Sequence, residues 1–142
     1  MAYWKTAPAE NNLIGIIPHE ISNLEDLGLL ILDRGVLTGS VPSTIGLLEN
    51  LYILHLYFNQ LTGSIHSELL KKATSEQLYL NKNWLSGSLE GIELLRGILI
   101  LHLHNNAFTG TIPLDIGDIP VLGKGIFLIV YDAQVLFSPS SA

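Results

Sequence analysis

The stretch LYILHLYFNQLTGSIH, residues 51–66, holds the pattern from which the rest of the chain can be read. Leucines stand at Leu51, Leu54, Leu56 and Leu61. Leu54-His55-Leu56 alternates apolar and polar residues, the mark of a short strand with one buried face. Asn59 follows where such a strand must turn, and Gly63 supplies a residue that tolerates close backbone approach or positive φ. A strand this short cannot bury its leucines alone and needs neighbours of its own kind.

Those neighbours are in the chain. Aligned on Asn-x-Leu-x-Gly, copies begin at Asn11, Gly35, Asn59, Asn83 and Asn106, at spacings of 24, 24, 24 and 23. Leu24, Leu27, Leu30 and Leu32 lead into the second copy, and Leu48, Leu51, Leu54 and Leu56 into the third. Leu95, Ile98, Leu101 and Leu103 lead into the fifth. The fourth is degraded: Leu78 and Leu80 remain, while Lys72 and Ser75 take the earlier apolar places. A buried amide in the Asn column can bond backbone groups of its own and adjacent rungs. Gly35 breaks that column, which predicts a looser second rung. Pro18, Pro42 and Pro113 fix the turn that follows each glycine, with His66 and Glu90 standing at that place in two copies. The segments after it suit 3₁₀ or single helical turns.

The unit L-x-x-L-x-x-L-x-L-x-x-N-x-L-x-G-x-I-P resembles the leucine-rich repeat, in its 24-residue plant-type class of receptor-like kinases, receptor-like proteins and polygalacturonase inhibitors. The resemblance covers about residues 11–119 and implies a short α/β solenoid of about five rungs. Such a solenoid is a right-handed superhelix with a parallel β-sheet on the concave face and 3₁₀ turns on the convex side. Residues 1–10 then form a lead-in, and residues 120–142 a degenerate last repeat or C-terminal cap with a frayed tail. Plant extracellular members usually cap their ends with cysteine pairs, and this chain has no cysteine. Uncapped ends would offer a docking surface for a partner.

Composition narrows the function classes. Seven basic against 13 acidic residues give a net charge of -6, which argues against nucleic acid as partner. No apolar run approaches the roughly 18 residues a membrane helix needs. Met1 to Pro8 lacks the apolar core of a signal peptide, whereas the resemblance implies an extracellular or cell-surface setting. No Gly-x-Ser-x-Gly or His-Glu-x-x-His motif occurs, and Gly123-Lys124-Gly125 lacks the spacing of a phosphate loop. The expectation is a protein that is not an enzyme and carries no cofactor.

By register, the residues flanking L-x-L project from the concave sheet. Four columns result: Ile31, His55, Tyr79, His102; Asp33, Tyr57, Asn81, His104; Arg34, Phe58, Lys82, Asn105; and Leu29, Ile53, Gln77, Ile100. Aromatic residues are enriched at interface centres. His55, Tyr57, Phe58 and Tyr79 should form one patch, joined by Lys82, His102 and His104 as ligand-binding residues for a protein, peptide or cell-wall glycan. His102, His104 and Asn81 lack the third His or carboxylate of a convincing metal site.

A second array is formed by Thr38, Ser40, Thr62, Ser64, Ser86, Ser88, Thr109 and Thr111, which flank successive glycines. In extended backbone these hydroxyls would point outward as two columns, an arrangement suited to ice, interrupted by Ile14 and Ile16 in the first copy. Three further readings therefore stand beside concave recognition: inhibition of a secreted polygalacturonase-like enzyme, ice binding, and a structural subunit of a larger assembly.

Overall fold

The computed structural model describes residues 2–4, 13–71, 76–95, 97–112, 127–129 and 135–137. Its strands are β1 (Ala2–Trp4), β2 (Ile14–Ile16), β3 (Leu27–Ile31), β4 (Val36–Thr38), β5 (Ile53–His55), β6 (Thr62–Gly63) and β7 (Gln77–Tyr79). They continue with β8 (Trp84–Gly87), β9 (Ile100–His102), β10 (Ala107–Phe108), β11 (Gly110–Ile112), β12 (Phe127–Ile129) and β13 (Val135–Phe137). One α-helical turn, α1, spans Ser67–Leu70.

Six strands form one parallel sheet in the order β1-β3-β5-β7-β9-β12. Leu30 faces Leu54, Leu54 faces Leu78 and Leu78 faces Leu101, all of them buried. The columns on either side, Leu29-Ile53-Gln77-Ile100 and Ile31-His55-Tyr79-His102, are half-buried on the outer face, as the alternation requires. The other repeat leucines close the core behind the sheet: Leu37, Leu61 and Leu85, with Phe108 in the same place, are each buried. Leu24, at the first rung, is exposed. Asn11, Lys72, Ser75 and Pro113 lie outside the described residues, as do most of the lead-in and of the segment 120–142.

The far side is made of 3₁₀ turns at His19–Asn23, Ser43–Leu47 and Ile92–Leu94, with α1 taking that place in the third copy. Pro18 and Pro42 stand in extended backbone just before the first two. Packing here is tight enough to demand glycine at one point. A Cβ on Gly46 would come within 2.8 Å of the Glu68 carbonyl carbon.

The asparagines lock the rungs together. Leu61 N–H donates to Asn83 Oδ1 at 3.0 Å, while Asn83 Nδ2 donates to Leu56 O at 2.9 Å and Leu80 O at 3.1 Å. Asn59 repeats the set with Leu37 N, Leu32 O and Leu56 O, and Asn106 with Leu85 N, Leu80 O and Leu103 O. Each amide thus binds its own rung and the one before it. The residue preceding this position is Arg34, Phe58, Lys82 or Asn105, and all four have φ between 56° and 58°. Three of the four pay the Cβ penalty of the left-handed region without the local hydrogen bonding that eases it for asparagine. The conformation recurs even at Arg34, where Gly35 follows in place of asparagine, so it belongs to the turn of the repeat itself.

Gly35 has no side chain to give, so Leu13 N–H lacks this acceptor and Leu32 O keeps only the bond from Asn59. Gly35 is not among the glycines at positive φ, so an L-residue is compatible there. Gly35→Asn should raise the unfolding free energy by about 1–2 kcal/mol, from added hydrogen bonds and a less flexible unfolded chain. Urea denaturation of the two proteins measures this directly. An unchanged midpoint would contradict the ladder's role.

Candidate functional site

The site is built on the outer face of β5, β7 and β9. His55 faces Tyr79 across one strand pair, and Tyr79 faces His102 across the next. Their ring centroids lie 4.3 Å and 4.5 Å apart. Tyr57 joins from the adjoining column, 6.3 Å from Tyr79 and 6.4 Å from His55, and His104 lies 5.9 Å from His102. Five rings on three rungs therefore make one continuous surface. Edge-to-face and tilted contacts such as these contribute about 0.5–1.5 kcal/mol each beyond their area. Within this surface His55, Tyr57, Tyr79, Asn81 and His102 line a cavity of about 320 Å³.

Phe58 and Lys82 are placed apart from that cluster. Both stand at positive φ where the chain turns out of the strand. Lys82 Nζ sits 5.5 Å from the Phe58 ring centroid, and both line a neighbouring hollow of about 490 Å³ with Gln60, Trp84 and Asn105. The expected patch thus divides in two. Trp84, 61% exposed, belongs to this flank. Its place after Asn83, outside the L-x-L columns, is why the sequence columns missed it. Arg34 instead stays with the concave cluster: its Nε donates to Tyr57 Oη at 3.1 Å and its guanidinium carbon lies 5.7 Å from that ring's centroid. Asp33 is 3.7 Å from Arg34 Nε.

Two polar atoms in the cluster, His55 Nε2 and Asn81 Oδ1, are buried and have no hydrogen-bond partner. Leaving a buried polar atom unsatisfied costs about 1–3 kcal/mol. Burial pushes the pKa of His55 down, against the opposing pull of a Gln77 hydrogen bond and of Asp33. Burial also lowers His102, reinforced by repulsion from His104 and His55. Both rings are therefore neutral at pH 7. Because their folded pKa values lie below the ordinary 6.5, the unfolded chain takes up more protons as pH falls below 6.5. Stability should drop over that window and then level off below the folded pKa values. Thermal melts from pH 7.5 to 5 test this. The drop should shrink in a His55→Gln, His102→Gln double variant, and an identical profile would contradict the assignment.

The second array lies on a separate ladder in which β2 pairs with β4, and β6, β8 and β10 pair in turn. Its glycines are left-handed and not extended; Gly87, at φ 86°, leaves room for Ser64, whose Cβ is 3.1 Å from where its own Cβ would be. The register of this ladder is offset by two residues against the repeat. Ser40 faces Thr62, but Thr62 faces Trp84, and Ser86 faces Ala107. Thr38, Ser40, Thr62, Ser64, Ser88 and Thr109 are exposed and Ser86 is half-buried, while the side chain of Thr111 lies outside the described residues.

Among the described residues no three His, Cys, Asp or Glu side chains converge as a metal site, and no helix is long and apolar enough to cross a membrane.

A solenoid of stacked L-x-L strands, tied by an asparagine ladder and carrying an aromatic concave face, defines a protein of the leucine-rich-repeat class. The family model described as Leucine Rich Repeat matches residues 97–119. A chain of the BIR3–SERK2 complex from Arabidopsis thaliana is 30% identical over 89% of this chain and 68% of that one, with a TM-score of 0.72. The Arabidopsis receptor kinase HAESA, solved with the peptide hormone IDA and the co-receptor SERK1, is 29% identical over 92% of this chain and 22% of that one, at a TM-score of 0.81. A plant ice-binding protein is 27% identical over 89% of this chain and 39% of that one, at 0.75. No curated protein sequence matches the chain. The chain belongs to the leucine-rich-repeat family, in its plant-type class.

Proposed function

We propose that this chain is a non-catalytic recognition module, acting outside the cell or at its surface, whose concave face binds a peptide or a protein segment. The observation that carries this reading is the unbroken surface of His55, Tyr57, Tyr79, His102 and His104 over three rungs. Aromatic side chains supply large, rigid contact area at low entropic cost and dominate interface energetics. The likeness to HAESA, whose structure holds a peptide hormone, supports a peptide as the ligand class. Phe58, Lys82 and Trp84 would form the rim of the same surface on one flank. The test is selection of the 142-residue chain against a displayed random-peptide library. Enriched peptides should compete with one another and leave Trp84→Ala with nearly full affinity. Enriched peptides lost in Trp84→Ala but kept in Tyr79→Ala would move the site to the flank.

The likeness to a plant ice-binding protein and the exposed hydroxyls favour a second reading, ice binding through the flank ladder. Trp84 opposite Thr62 interrupts the hydroxyl row this would need. An ice-recrystallisation assay separates the two. Inhibition that disappears in Thr62→Val and Thr38→Leu would assign the ladder to ice, and no inhibition leaves the concave face as the functional one.

A further inference from the structure

The concave cavity has a specific chemical deficit. Asn81 is 7% exposed, and its Oδ1 has no donor. His55 Nε2 has no partner either. At the wall of this cavity the carboxamide oxygen of Asn81 is thus an acceptor awaiting a donor. Its walls are the rings of Tyr57, Tyr79 and His102, and the carboxylate of Asp33 acts on His55 from the adjoining column. Electron-rich faces and a free acceptor together select a ligand that is planar, cationic and rich in N–H groups.

The protein already shows that one wall accepts such a group. Arg34 places its guanidinium over Tyr57 and bonds the phenol oxygen from Nε. Its side chain is 55% exposed, so it covers the ring from the solvent side and can be displaced.

Resting on the proposal of concave-face recognition, we propose that this cavity is a subsite for an arginine side chain of the bound peptide. The guanidinium lies on the solvent side of the Tyr57 ring, taking over the place that Arg34 holds there, and donates to Asn81 Oδ1 at the cavity wall.

The test uses N-acetyl-arginine methylamide as probe, with the citrulline analogue as its uncharged isostere, followed by NMR of the 142-residue chain at pH 7.5. The arginine probe should shift the ring signals of Tyr57, Tyr79 and His102, with affinity at least about tenfold above the citrulline probe, as expected from loss of the cation–π and charge-assisted bonds. Asn81→Leu should weaken the arginine probe by about tenfold through loss of one acceptor. Arg34→Ala, at an exposed position that leaves folding intact, should strengthen it by about threefold by removing the competing cation. Equal binding of both probes overturns the assignment to a cation, and Arg34→Ala weakening the probe overturns the displacement. Rings that respond to a library-selected peptide and not to the arginine probe leave concave recognition standing and overturn the arginine subsite. Rings silent to both overturn the two proposals together.

Discussion

Asn83→Ala should lower the unfolding free energy by about 3 kcal/mol, the cost of leaving a buried amide N–H unmatched together with two lost donor bonds. Asn83 is 5% exposed, so water does not replace what the side chain supplied. Leu61 N–H loses the acceptor it holds at 3.0 Å. Leu56 O and Leu80 O fare better, because Asn59 and Asn106 still donate to them. That redundancy is why the expected loss is not larger. Asn83→Asp, of the same shape, should cost more at neutral pH. It keeps an acceptor for Leu61 N–H but sets a buried carboxylate against two carbonyl oxygens. Burial and those carbonyls raise its folded pKa above the unfolded value. The deficit is then greatest above the folded pKa and shrinks as pH falls through it, since the protonated acid can donate. Urea denaturation at pH 7.5 and pH 4.5 measures both variants. A loss under about 1 kcal/mol for Asn83→Ala would mean that leucine packing alone holds the rungs.

The second large effect concerns binding. Tyr57→Ala and Tyr79→Ala should each reduce affinity for a library-selected peptide by about 30-fold or more, the range of interface hot spots. The two will not add, because their rings lie 6.3 Å apart and share His55 as a neighbour. Stability should fall by only about 1 kcal/mol for Tyr79→Ala, which loses ring contacts to His55 and His102 but no core packing. Tyr→Phe at either position should retain most of the affinity if ring area dominates. Isothermal titration against the selected peptide decides the matter. Wild-type affinity in both alanine variants would remove the concave face from the account.

Much of this was legible in the residues. The L-x-L period placed Leu30, Leu54, Leu78 and Leu101 in one buried column and His55, Tyr79 and His102 in one outer column, and the sheet register matches both. It did so because a parallel strand pair in a regular solenoid advances by one repeat. The flank did not follow that arithmetic. The second ladder is offset by two residues from the repeat, so Thr62 meets Trp84 and not Ser86. Likewise the column of Phe58 and Lys82 could not be aimed from spacing alone, since non-glycine residues at positive φ carry no mark in the sequence. The unmatched Asn81 and His55 atoms were invisible to any pattern, because satisfaction of a polar group depends on its three-dimensional neighbours.

The most direct test of the central claim is an NMR titration of the 142-residue chain with its best library-selected peptide, reading the aromatic side-chain signals. The account predicts saturable shifts at Tyr57, Tyr79 and His102 on the concave face, with the threonine methyls of Thr38 and Thr62 on the flank ladder unmoved. Shifts confined to Thr38, Thr62 and Trp84, with the concave rings silent, would contradict it.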